Sequence, residues 1–178
     1  MKTSAALRIR HLEQMGPREL QELSDVLIDC VDGGASVSFM APMTRAKAEG
    51  FWQGVATSAS RGERVVLVAE EPAGRIIGTV QIILNAPENQ PHRGEIAKML
   101  VHRQARRRGV GAALLAAAER SAVAAGKTLL VLDTVTGADG ERLYATHGWQ
   151  RCGVIPSFAL WPDGRPCATT VFFKALQQ

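Results

Sequence analysis

Aromatic residues are scarce in this chain: nine among 178, of which five are Phe, three Trp and only one Tyr. A nucleic-acid binder usually interleaves basic stripes with aromatic rings on which bases stack, so no nucleic-acid partner is expected. Cysteine is sparse too. Cys30, Cys152 and Cys167 form an odd, widely spaced set without a Cys-x-x-Cys pair, which excludes the usual zinc and disulfide frameworks. Each is read as a small buried apolar residue. The four histidines lack metal-ligand spacing, and no metal is expected. His92 and His102 read as loop or surface residues, and His147 as part of a last helical turn. Nothing approaches the ~20 consecutive apolar residues of a spanning helix. Met1–His11 carries no long apolar run and no cleavage site. A cytoplasmic chain with no membrane partner is the expectation.

What is present is ordinary for a folded protein: 46% hydrophobic and 21% charged residues, in a length that fits one domain over residues 1–178. A globule of this size buries a core without metal or disulfide staples. The net charge of +4 is local. Arg103, Arg106, Arg107 and Arg108 lie within six residues, which points to an anionic ligand at one place.

The hydrophobic pattern divides the chain into strands and helices. Leu7–Arg10 alternates and reads as a strand. Gly16-Pro17 opens a helix with helical apolar spacing at Leu20, Leu23, Val26, Leu27 and Cys30, ending near Gly33-Gly34. A partly apolar loop, Gly33–Met43, follows. Thr44 is placed to cap a second helix reaching about Ser58. Val65–Ala69 and Ile76–Leu84 read as an antiparallel hairpin turned at Glu71-Pro72-Ala73-Gly74. Asn85–His92 is a polar loop and Glu95–Val101 a third core strand. Gly109–Ala125 is an alanine-rich helix stopped by Gly126. Thr128–Leu132 is almost wholly apolar, as in a strand buried on both faces. Asp139–His147 reads as a short helix. Gln150–Ile155 and Thr169–Lys174 close the chain as strands, with a turn at Pro162-Asp163-Gly164-Arg165. This order predicts an α/β (α+β) domain, with a mixed sheet carrying helices on its faces.

Between the strand ending at Val101 and the alanine-rich helix lies Arg106-Arg107-Arg108-Gly109-Val110-Gly111. Glycines admit a ligand close to the backbone, and the first N–H groups of a helix lack intrahelical partners. The helix dipole favours a phosphate there. Pyrophosphate is the expected guest, although the same residues also suit a tight turn with solvated arginines. No Gly-Lys-Ser/Thr follows, so a nucleotide-hydrolysing P-loop is excluded. Leu114 occupies the third glycine position of the dinucleotide fingerprint, which therefore fails.

Arg-x-x-Gly-x-Gly after a strand and before an amphipathic helix resembles the acetyl-CoA signature of the GNAT N-acetyltransferase superfamily. Downstream, Tyr144-Ala145-Thr146-His147-Gly148-Trp149 resembles that family's second motif, Tyr-x-x-x-Gly-aromatic. Together the motifs cover Glu95–Arg151. A narrower resemblance, to the tabtoxin-resistance group of that superfamily, rests on five segments. They are Gly33–Val37, Phe39-Met40-Ala41, Leu132-Asp133-Thr134, Pro162–Arg165 and Phe173-Lys174. Asp32 stands where that group has a histidine, and Ser157-Phe158 where it has a glycine–tyrosine pair.

The resemblance implies a GNAT fold, a mostly antiparallel sheet, acetyl-CoA as co-substrate and a small-molecule amine as acceptor. It leaves a homodimer open. Among cofactor contacts it implies backbone groups of Met99, Leu100 and Val101 for the pantetheine arm. Arg106, Arg107, Arg108, Gly109, Val110, Gly111 and Ala112 are implied for the pyrophosphate. An amine must lose a proton before it attacks a thioester, and a carboxylate can take it. Glu95 and Asp133 are the candidates, and carboxylates at the matching positions of the tabtoxin-resistance group support both. Each also has a plain reading, Glu95 as a solvated strand residue and Asp133 as a cap for the next turn. Tyr144 matches the superfamily tyrosine that protonates the departing thiolate, or else is a half-buried structural residue. Asp32, Phe39, Met40, Phe158 and Trp161 are candidate walls of the acceptor pocket. No cysteine lies in either motif, so direct transfer in a ternary complex is expected rather than an acetyl-cysteine route. Acetylation of a protein N-terminus or lysine is the alternative enzymatic reading. A non-catalytic acetyl-CoA sensor is the rival from another class, and it would need none of Glu95, Asp133 and Tyr144.

Overall fold

Apolar side chains that alternate along one segment after another pair here into a single seven-stranded sheet. A computed structural model describes residues 7–177. The elements are β1 (Arg8–His11), α1 (Pro17–Asp32), α2 (Arg45–Ser60), β2 (Arg64–Glu70), β3 (Ile76–Ile83), β4 (Arg93–Val101), α3 (Val110–Ala124), β5 (Leu129–Val135), α4 (Asp139–Thr146), β6 (Gln150–Leu160) and β7 (Pro166–Ala175). The strands lie in the order β1-β2-β3-β4-β5-β7-β6. Every neighbouring pair is antiparallel except β4 and β5.

Both faces of the sheet are covered, as expected. On one side Leu23, Val26 and Leu27 of α1 and Trp52 of α2 pack with Val66, Val68 and Leu100. On the other, Val110, Leu114, Leu115 and Ala118 of α3 pack with Leu67, Val80, Ile82 and Leu130. Neighbours Val66 and Leu67 thus serve opposite cores, which is the two-residue period of a strand. Full burial of each such aliphatic side chain is worth about 1.5–3 kcal/mol. Helix starts follow the local chemistry. The Thr44 hydroxyl accepts from the Lys47 N–H (3.3 Å), and the Gly16 N–H donates to the Glu19 carboxylate (3.1 Å).

Several boundaries differ from the sequence reading. The closing strands run on to Leu160 and start at Pro166, so the Pro162–Arg165 turn joins one long hairpin. A register shift between Ile155 and Ala159, with Ser157 at φ 52°, hides that continuity from the alternation pattern. The fifth strand extends past Leu132 to Val135. It is not buried on both faces: Leu130 and Leu132 are buried, Leu129 and Val131 only partly. A 3-10 turn at Arg103–Ala105 was not foreseen. Cys30 and Cys167 are buried as expected, but Cys152 is exposed, because it lies on β6, the edge strand of the sheet.

One close approach sets the position of α3. A Cβ at Gly78 of β3 would lie 3.0 Å from the Leu100 carbonyl oxygen and 3.2 Å from both Leu114 and Val110 side chains. Only a bare backbone lets the first turns of α3 settle onto β3 and β4. Gly78→Val should therefore lower stability by about 1–3 kcal/mol through overpacking. Urea unfolding of the variant beside the parent checks this, and equal midpoints would remove the constraint.

Candidate active site

The parallel pairing of β4 and β5 stops early. Arg93, Gly94 and Glu95 pair with Leu129, Leu130 and Val131, and beyond them the strands separate. A bulge in β4 contributes to the departure. Leu100 pairs with Thr79 and Ala97 with Gln81, so Lys98 and Met99 together stand opposite Val80, and Lys98 takes φ 49°. Bulges bend a strand and re-aim its side chains. The resulting cleft has a volume of about 1100 Å³.

One end of the cleft is the glycine loop. Arg107 and Gly109 both adopt left-handed backbone, φ 58° and 79°, and α3 begins at Val110. Nothing lies within 4 Å of where a Gly109 Cβ would stand, so a ligand can reach the backbone there. The loop is anchored from α1. Asp29 accepts from the Arg103 N–H (2.7 Å) and from its guanidinium (2.9 Å). Burial pushes the Asp29 carboxyl up, but the hydrogen bonds from Arg103 outweigh it and leave the group below its ordinary value. The arginines divide. Arg106 turns back, donating to the Val101 carbonyl (3.2 Å), with its guanidinium 4.0 Å from the Cys30 sulfur. Arg106 and Arg107 line the cleft and Arg108 does not.

The middle of the cleft is made by β4, β5 and α4. Glu95, Met99, Leu100, Val101, Gly111, Ala112, Asp133 and Tyr144 all line it, so residues far apart in the chain meet in one space. The Thr169 hydroxyl is 2.8 Å from an Asp133 oxygen and 2.9 Å from the Thr134 carbonyl, and it orients that carboxylate. Tyr144 is buried, its ring set edge-on to Trp149 at 5.7 Å and tilted against Phe172 at 6.1 Å. Burial, and then the nearby Asp133 charge, push its phenol pKa up. The phenol keeps its proton at neutral pH.

Phe39, Met40, Phe158 and Trp161 also line the cleft. Asp32, at the end of α1, is exposed and outside the lining. The sequence reading missed Lys98, Ser38 and Thr169, which also face this space. Lys98 lies only three residues after Glu95, yet a regular strand would not have aimed both side chains into one cleft. Among the described residues, no group of three or more His, Cys, Asp or Glu side chains could hold a metal ion. No described helix is long and apolar enough to cross a membrane.

Residues 34–149, well over half of the chain, match the family model described as "Acetyltransferase (GNAT) family". The chain is 27% identical over 157 residues to an uncharacterized N-acetyltransferase of the hisH-hisA intergenic region of Azospirillum brasilense. That alignment covers 86% of this chain and 91% of the relative. Among solved structures, a protein assigned as a phosphinothricin N-acetyltransferase superposes with a TM-score of 0.78 at 19% identity, covering 97% of this chain and 100% of that one. YncA of Salmonella typhimurium, assigned as an acetyltransferase and solved with acetyl-CoA, gives 0.77 at 18% identity, covering 97% and 95%. At these identities the structures establish a shared fold. The matched span contains both the glycine loop and the Tyr144 segment, and the chain belongs to the GNAT family of acetyltransferases.

Proposed function

We propose that this chain acetylates the amine of a small amino-acid-like acceptor, of the antibiotic or toxin kind that the tabtoxin-resistance resemblance suggests, with acetyl-CoA as donor. The observation that carries the reading is the cleft between the parted β4 and β5, which brings a phosphate-sized backbone cradle, two carboxylates and a protonated phenol into one space. The likeness to a protein assigned as a phosphinothricin N-acetyltransferase supports a small acceptor.

The residues fit the donor. The left-handed Gly109, open at its Cβ position, and the first N–H groups of α3 would hold the pyrophosphate with Arg107 beside them. Past Glu95, the β4 edge that faces β5 has no strand partner, so Met99–Val101 can pair with the amide-bearing pantetheine arm as with an added strand. Acetyl-CoA, when bound, supplies an activated acetyl thioester. Glu95 and Asp133 then receive the acceptor's ammonium, and one of them takes its proton. Thr169 keeps Asp133 turned toward the cleft. Tyr144 holds the proton that the departing sulfur needs, and its apolar surroundings keep that proton in place at neutral pH.

Acetyl-CoA at a hundredfold excess over its Kd should stabilise the fold by about 2.7 kcal/mol, read as a rise in Tm. Gly109→Ala should cost about 1–2 kcal/mol without ligand, because an L-residue resists that φ, and should shrink the ligand-induced rise. An undiminished rise would remove the loop from the phosphate site.

Glu95→Gln, Asp133→Asn and Tyr144→Phe should each retain acetyl-CoA binding while slowing turnover about 10²–10⁴-fold. Release of free thiol, followed with tabtoxinine-β-lactam, aminoglycosides and lysine peptides as acceptors, checks both the residues and the acceptor class. Faster release with a lysine peptide would favour a protein acetyltransferase, and acetyl-CoA binding without any release would favour a sensor.

A further inference from the structure

Lys98 is a half-buried cation of this cleft with little to hold. Its Nζ donates to the Ser38 hydroxyl (2.9 Å) and lies 5.9 Å from the ring centroids of both Phe39 and Phe51. Those rings meet edge-on at 5.1 Å. The rings attract a cation, but they accept no strong hydrogen bond. An ammonium carries three N–H donors, and a neutral hydroxyl takes one of them. Among the described residues no carboxylate oxygen lies within 4.0 Å of Nζ. Arg107 and Arg142 also line the cleft without a side-chain hydrogen bond or ion pair among the described residues, but both are exposed, whereas Lys98 is half-buried. Arg103 is paired with Asp29 and Arg106 is bonded to the Val101 carbonyl. Lys127, which is buried, shows what a purely structural lysine looks like here: its Nζ donates to the Leu84 and Pro91 carbonyls at 3.1 and 2.7 Å.

The backbone is strained in order to place this side chain. Lys98 at φ 49° and its partner Ser38 at φ 77° both occupy left-handed backbone, which costs an L-residue about 1–2 kcal/mol. Strain of this kind collects where a ligand is handled. Burial pulls the Lys98 pKa below its ordinary value, helped by the Arg64 charge, while Asp133 and Glu95 act in the opposite sense. Both carboxylates line the same cleft without pairing with Lys98. A half-buried ammonium in that position gains most from an anionic group brought by a ligand.

Resting on the amino-acid reading above, we propose that Lys98, with Ser38, receives the carboxylate of the acceptor, so that the acceptor is a zwitterion whose ammonium faces Glu95 and Asp133. The arrangement sets the half-buried Lys98 ammonium and the Glu95 and Asp133 carboxylates in a single cleft. A lysine side chain within a peptide, or an aminoglycoside, brings positive charge and no carboxylate to Lys98. Such acceptors should be disfavoured by like-charge repulsion at the half-buried Lys98 ammonium.

The test pairs the common L-amino acids and tabtoxinine-β-lactam with their carboxamides, in thiol-release assays of the parent and of Lys98→Met. The parent should prefer acid to amide by at least about tenfold in kcat/KM. The variant should lose that preference through a raised KM for the acid, and Lys98→Arg should restore part of it. A second arm reads binding alone. The 2-hydroxy acid matching the best acceptor should raise the Tm of the parent in the presence of acetyl-CoA, and should raise that of Lys98→Met far less. If parent and variant use acid and amide alike, or if no 2-hydroxy acid protects the parent, the carboxylate site is overturned while acetyl transfer stands. If lysine peptides or aminoglycosides release thiol and no amino acid does, both readings fall.

Discussion

Two parallel strands that share three residue pairs and then part company are the feature on which this site depends. Past Glu95 and Val131 the sheet opens between β4 and β5, leaving an edge of backbone N–H and C=O groups along the cleft. Unpaired polar backbone is costly when buried, so the opening persists only because the rest of the fold holds each strand from its other side. β3 holds β4 through Val101, and β7 holds β5 over its full length from Leu129 to Val135. An opened edge of this kind is ready to pair with the amide-bearing arm of a ligand, which turns a structural cost into a binding surface.

Strain is concentrated around the same opening. Among the described residues, the non-glycine residues with positive φ are Ser38, Lys98, Arg107 and Ser157. Three of them line the cleft, and the fourth immediately precedes Phe158, which does. The supports lie just outside. Asp29 ties α1 to the turn before the glycine loop. Glu119 of α3 accepts from the Trp149 indole (2.9 Å) and from Lys174 (2.8 Å), so the second motif, α3 and β7 are clamped behind Tyr144. These contacts touch the surroundings of the site rather than its interior, and they keep its geometry from relaxing.

The cleft also sorts its ionisable groups by environment. Tyr144 sits among Trp149 and Phe172, where apolar surroundings favour the neutral phenol. Asp133 stays exposed at the strand end, steadied by Thr169. Lys98 is held between aromatic rings and a hydroxyl. A carboxylate, a protonated phenol and an ammonium therefore face one space without pairing with one another. Direct pairing of Lys98 with Asp133 would have cancelled the two charges that a zwitterionic ligand can use.

Local periodicity and punctuation determined much of this on their own. The alanine-rich run of α3, the Thr44 cap, the β2–β3 hairpin and the Arg106–Gly111 loop are short-range features, and each was readable from adjacent residues. The order of elements, and the two motifs of the family, followed from the same local signals. The tertiary structure decided what depends on partners distant in the chain. A bulge at Lys98 exists only against Val80 of a neighbouring strand, so no spacing rule places that ammonium beside Ser38, sixty residues away. The length of β6 was hidden because its irregularity at Ser157 is bridged by pairing with β7. Arg106 lines the cleft with its guanidinium held by the Val101 carbonyl and beside the Cys30 sulfur, a position set by packing rather than by the residue's charge.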